Sequence, residues 1–112
     1  MGLRKDKAKE IDFTITVHGV SAHGSTPHLG KDAIVAASAV VQAAQTLVSR
    51  VNNPLRPLVL GFESVRAGKQ FNIVCDKVQL TGCLQAYDDE LLMDMADKLK
   101  KLARRTAETF DC

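Results

Sequence analysis

Asp12-Phe13-Thr14-Ile15-Thr16-Val17-His18 alternates polar and apolar residues at every step, the period-two pattern of a strand with one face in a core and the other in water. The residues after His18 cannot extend that ladder. Gly19, Ser21, Gly24, Ser25, Thr26, Pro27 and Gly30 crowd turn formers into one short segment, which reads as a loop. Beyond it, Asp32 is placed to cap a helix. Ile34, Ala37, Val41, Ala44, Val48 and Val51 then recur at three- and four-residue spacing until Asn52-Asn53-Pro54 stops the pattern. The other faces of this helix carry Ala33, Ala36, Ala39, Val40, Ala43 and Leu47, more apolar surface than a helix lying on one sheet requires. A second buried contact is therefore expected, from a partner domain or subunit.

Leu58 to Val65 reads as a second strand and Arg66 to Lys69 as a turn. Phe71 to Tyr87 reads as a longer third strand, with a bulge at Asp76-Lys77. From Asp88 a second helix begins with acidic residues, places Leu92, Met95, Leu99, Leu102 and Thr106 on one face, and ends in Lys and Arg as the helix dipole prefers. Asp94 with Lys98 and Asp97 with Lys101 are spaced for weak helical ion pairs. Strand, helix, strand, strand, helix predicts an α+β fold: a ferredoxin-like split βαβ unit, with an antiparallel sheet and two helices on one face. The last strand of that pattern is missing, so the chain reads as part of something longer. Residues 1–10 read as an N-terminal extension and 11–112 as one domain, since 112 residues hold one core of ordinary size.

Composition narrows the functions. The 15 basic and 13 acidic residues nearly cancel, and four Phe with one Tyr supply no base-stacking platform, so nucleic acid is not an expected partner. Basic residues cluster at Arg4 to Lys9 and Lys98 to Arg105, both read as solvated surface. The chain has no uninterrupted apolar run of the ~20 residues a bilayer span requires, and no secretory signal. Asp6 stands where myristoylation needs Ser or Thr. Three cysteines without a CxxC pair or an even framework fit reduced thiols in the cytoplasm.

His18, His23 and His28 are five residues apart. Along a strand that spacing alternates faces, and on a helix it separates them by about 140°; only a coiled loop could gather them, and no Asp, Glu or Cys lies between Val17 and Leu29 to complete a zinc site. Ser21 and Ser25 lie near His23, but the segment has no nucleophile elbow and no orienting carboxylate. What remains for a loop histidine is to donate an N–H to an oxygen that gains negative charge during acyl transfer.

Thr16 to Ile34, with its pattern around His18-Gly19, His23-Gly24, Pro27-His28, Gly30, Asp32 and Ile34, resembles the lid domain of the aminoacylase, carboxypeptidase and hippurate-hydrolase family of two-zinc enzymes. The likeness continues through Ser49-Arg50, Ala67 to Val74 and Leu80-Thr81-Gly82. It implies a lid inserted in a larger catalytic domain that holds both zinc ions and the general base, with the lid pairing subunits into a homodimer. The lid alone would be inactive. By the same resemblance, His23 matches the histidine that polarises the scissile carbonyl in the partner subunit, and Asn72 matches an asparagine that contacts substrate. His28 is frequent in relatives acting on N-acyl amino acids, which favours those substrates over small peptides. Gln85 stands where relatives commonly have Arg, and Cys75 where Pro is usual; a neutral amide cannot replace a guanidinium fork on a substrate carboxylate. The competing reading is a free-standing ferredoxin-like module that binds a small molecule or a protein, because this architecture hosts many functions.

Overall fold

The computed structural model describes residues 8–112. Asp6, which breaks the myristoylation pattern, and Arg4, Lys5 and Lys7 of the first basic cluster lie outside them. Strand β1 (Lys9–His18) leads through a loop to helix α1 (Ala33–Thr46), which continues as a wider π turn over Leu47–Val51. Strands β2 (Leu58–Ala67) and β3 (Lys77–Ala86) form a hairpin, and helix α2 (Asp89–Thr109) comes last. β1 begins at Lys9, so two residues of the expected extension belong to the sheet.

The sheet is antiparallel in the order β1-β3-β2, with Lys9 opposite Ala86 and Leu58 opposite the same Ala86. β3 is thus paired on both sides. Its residues alternate strictly: Val78, Leu80, Gly82, Leu84 and Ala86 are buried under the helices, while Lys77, Gln79, Thr81, Cys83 and Gln85 face the open side. At Gly82 the fold needs the missing side chain, because a Cβ there would lie 2.5 Å from the Phe13 ring and 2.2 Å from the Gly61 carbonyl oxygen. Phe13 and Phe62 use that space to meet edge to face, with centroids 5.4 Å apart.

Four expectations are corrected. The third strand starts at Lys77, not Phe71, and Phe71 to Asp76 forms a separate crossing segment. The bulge lies in β2 between Phe62 and Ser64, not at Asp76-Lys77. On α2, Leu91 and Ala103 join Leu92, Met95 and Leu99 in the core while Leu102 is half-buried, and the last turn holds no basic residue because the helix runs on to Thr109.

The fourth correction concerns α1. Its core face is Ala33, Ala36, Ala37, Val40, Ala44 and Leu47, whereas the larger Ile34, Val48 and Val51 remain 49%, 36% and 49% exposed. Alanines let the helix backbone settle close to the sheet, with Val40 between them, while Ile34, Val48 and Val51 point away from it. By length and composition Ala33–Val51 also matches a bilayer span; here its small-residue face closes the core of the sheet.

Asp32 caps α1 by accepting from the Ile34 and Val35 amides, and Asp88 caps α2 through the Glu90 amide. Asp88 also pairs with Arg56, whose hydrogen bond holds its carboxyl below the usual range. Asp94–Lys98 and Asp97–Lys101 pair at 2.7 and 3.2 Å. The outer edge of β1 borders a groove of about 630 Å³ against α2, lined by Phe13, Ile15, Leu99 and Ala103. In a split βαβ unit a further antiparallel strand lies at this edge.

Leu80 sits in the middle of the doubly paired strand at 1% exposure. Leu80→Ala is expected to lower unfolding stability by about 2–5 kcal/mol in urea titration, while Val65→Ala on the exposed edge strand stays within about 0.5 kcal/mol.

Candidate functional site

The loop after β1 is held by backbone bonds to the crossing segment before β3. Gly24 N–H donates to the Asn72 carbonyl at 2.6 Å, Val74 N–H to Ala22 at 2.7 Å, and Gly19 N–H to Asp76 at 2.8 Å. The Cys75 carbonyl accepts from the Ala33 N–H at 2.9 Å, so it also anchors the first turn of α1. His23 and Ile73 face each other as an isolated antiparallel bridge, and so do Val20 and Lys31. Gly30 makes the second bridge possible: a Cβ there would lie 2.6 Å from the Val20 oxygen.

These contacts place His23 and Asn72 side by side at one end of the sheet. The sequence alone assigned Asn72 to a strand. Instead it has φ 64, a left-handed conformation that asparagine tolerates better than most residues, and the turn it makes presents its carbonyl to Gly24. Both side chains are exposed. The signal for this turn was the Phe-Asn-Ile tripeptide itself, with an αL-tolerant residue between two apolar ones.

The imidazole of His23 is oriented from below. The Ser25 backbone N–H donates to Nδ1 at 3.1 Å, and the Ser25 hydroxyl lies 2.7 Å from the same nitrogen. A backbone N–H can only donate, so Nδ1 is the acceptor and the neutral ring carries its proton on Nε2. Nε2–H is thereby available as a donor at the loop surface. Thr26 closes the turn through its N–H to the His23 carbonyl at 2.9 Å.

His28 lies in the short 3-10 turn Pro27–Leu29 of the same loop and is exposed. Gln85 is elsewhere. It sits on the open face at the opposite end of β3, about 26 Å along the strand from Lys77 at ~3.3 Å per residue. One protomer therefore joins His23, Asn72 and His28 at one end of the sheet and holds Gln85 at the other.

The histidines do not converge with carboxylates or thiols among the described residues. Glu10, Asp12 and Cys83 bring three potential ligand atoms within 4.8 Å of one another on the open face, toward the Gln85 end. The Cys83 thiol donates to Glu10 Oε2 at 3.1 Å. Partial burial, that hydrogen bond and the negative charges of Glu10, Asp12 and Glu63 push its pKa up to about 11.

Residues 10–111 match the model of the peptidase dimerisation domain. N-acetyldiaminopimelate deacetylase of Lactococcus lactis is 34% identical over 104 residues, covering 93% of this chain and 28% of that protein. N-acetyl-L-cysteine deacetylase of Bacillus subtilis is 30% identical over 98 residues, 88% of this chain and 24% of that protein. Among solved structures, a chain from methicillin-resistant Staphylococcus aureus described as an aminohydrolase superposes with TM-score 0.89 at 31% identity, over 94% of this chain and 28% of its own length. This chain thus spans about a quarter of the length of the curated relatives it matches.

With its thiol held protonated, Cys83 should alkylate slowly at pH 8, with a rate that keeps rising toward pH 11. Glu10→Gln removes an acceptor and a negative charge, so the midpoint of the rate profile should move down, as read by mass spectrometry of iodoacetamide adducts.

Proposed function

Because this chain belongs to the peptidase dimerisation domain family, we propose that it pairs two copies of an amidohydrolase and supplies each copy's active site with the loop histidine of the other. The observation that carries this reading is the His23 imidazole, exposed beside Asn72 with Nδ1 engaged by Ser25, which leaves Nε2 as the ring's donor. That arrangement suits a hydrogen-bond donor to an amide oxygen. As water or another nucleophile adds to the carbonyl carbon, the oxygen gains negative charge, and a donor already in place stabilises it without reorganising. Asn72, on the neighbouring turn, supplies an amide that can hold the substrate in register. The substrates favoured are N-acyl amino acids, ahead of small peptides; the deacetylase relatives support that order.

The family resemblance implies a centre of two zinc ions, and the described residues do not fit one. Three potential ligand atoms at Glu10, Asp12 and Cys83 fall short of two four-coordinate sites, and they lie at the far end of the sheet from His23. The part of this chain in the reaction is confined to its own imidazole and amide, with the metal ions assigned to a separate catalytic domain. Alone, the chain hydrolyses nothing.

Dimer formation draws on two exposed surfaces. Helix α1 packs across the sheet and its π turn Leu47–Val51 reaches β2; the outward Ile34, Val48 and Val51 and the exposed Val59 and Val65 of β2 are the apolar surface assigned to the interface. Burying such a patch is the usual role of an interface. Antiparallel pairing of two β2 edges about a two-fold axis brings the Gln85 end of one sheet beside the His23 end of the other. Residues that one protomer holds apart then approach across the dimer.

In a full-length hydrolase carrying this domain, His23→Ala is expected to lower kcat on N-acetyl and N-benzoyl amino acids by about 10²–10³ with the dimer intact. Ile34→Glu with Val48→Glu should convert the dimer to monomer in sedimentation velocity. A His23→Ala enzyme of ordinary activity, or unchanged sedimentation of the double variant, contradicts the corresponding half of the proposal.

A further inference from the structure

A second feature lies at the same end of the sheet. Between the β2–β3 turn and the crossing segment is an open cavity of about 600 Å³. Arg66, Lys69 and Lys77 line it, Asp76 is its one carboxylate, and Ser21 and Gln79 add neutral polar groups. The strand register explains the gathering. Arg66 is the cross-strand partner of Gln79, and Lys77 lies two residues before Gln79 on the same open face; Lys69 reaches in from the turn, which Gly68 makes at φ 84.

The charge of this cavity is unbalanced. Among the described residues, the ion pairs involve Lys9, Arg56, Lys98 and Lys101, and none involves Arg66, Lys69 or Lys77. Three cations against one carboxylate in a concave surface hold a positive potential that a bound anion relieves. Ala67, Ile73 and Val74 give the same cavity apolar wall, as a small-molecule pocket has when a few polar groups orient a largely apolar ligand. Ile73 is bridged to His23, so the wall of the cavity and the histidine loop are joined through the backbone.

We propose that this cavity is a carboxylate-recognition pocket, taking the free carboxylate of an N-acyl amino acid through Arg66, Lys69 and Lys77 while the apolar wall receives its side chain. It gives the chain a means of selecting an anionic substrate that Gln85 cannot supply. Its place beside the reacting amide rests on the proposed lid role of His23; binding to the pocket does not.

The test uses the 112-residue chain and compares N-acetyl-L-leucine with N-acetyl-L-leucinamide, which differ in the carboxylate alone, using amide chemical shifts as the readout. The acid should perturb Gly68, Lys69, Ile73 and Val74 and bind about tenfold more tightly than the amide. Arg66→Gln with Lys77→Gln, exposed positions whose loss leaves the core intact, should weaken it by a similar factor, and Glu10→Gln, at the far end of the open face, should leave it unchanged. Equal binding of acid and amide, equal response to inorganic phosphate, or no response at the pocket overturns the proposal. Loss of activity in a His23→Ala hydrolase alongside no binding here would leave the lid reading standing and remove the pocket; acid-selective binding with a fully active His23→Ala enzyme would do the reverse.

Discussion

Four backbone hydrogen bonds between residues 19–33 and 72–76 organise the functional end of this domain. They are the means by which a loop rich in glycine and serine becomes a fixed surface. Each buried or bridged amide must find a partner, and the crossing segment supplies carbonyls at Asn72, Cys75 and Asp76 where the sheet ladder has ended. The same bonds set the entry of α1 through Ala33 and the start of β3 after Asp76. Remove that zipper and His23 loses its position relative to Asn72, while the cationic cavity loses its apolar wall. The core of the sheet, centred on Leu80 and Leu84, supports this end without touching the exposed groups that do the recognising.

The helix that covers the sheet has apolar residues nearly all round, and the size of those residues decides which side goes in. Alanine on the core face permits close approach to the strands, and isoleucine and valine on the outer face form a surface suited to another subunit. Periodicity could not make this choice, since both stripes recur at helical spacing. A core face of Ile34, Val41 and Val48 would place the larger side chains inward, as a single-faced helix requires. The expectation of a second contact follows from the same physics: such a helix has more apolar surface than one sheet can cover, and the proposed dimer assigns the remainder to the partner subunit.

Much of the architecture was legible because it rests on local rules. Alternation marked β1, the cap at Asp32 and the acidic run from Asp88 marked the helix starts, and the order of elements led to an antiparallel sheet with two helices on one face. The crossing segment was not legible, because Phe71, Ile73 and Val74 look like strand residues and only a positive φ at Asn72 turns the chain out of the ladder. The neighbouring positions of His23 and Asn72, about fifty residues apart in sequence, depend on that turn. The cationic cavity was hidden for a related reason. Arg66 and Lys77 meet through strand register, and the register shift between Phe62 and Ser64 changes which residues of β2 face them.

The central claim is that His23 serves the active site of the opposite subunit, and subunit complementation tests it most directly. One full-length protomer carries His23→Ala with an intact catalytic domain; the other keeps His23 and has the general base of its catalytic domain neutralised. Each homodimer is inactive under this account. When the two are unfolded together and reassembled, mixed dimers should recover amidase activity, because the intact catalytic domain then receives a histidine from its neighbour. Mixed dimers that form and remain as inactive as their parents would contradict the account.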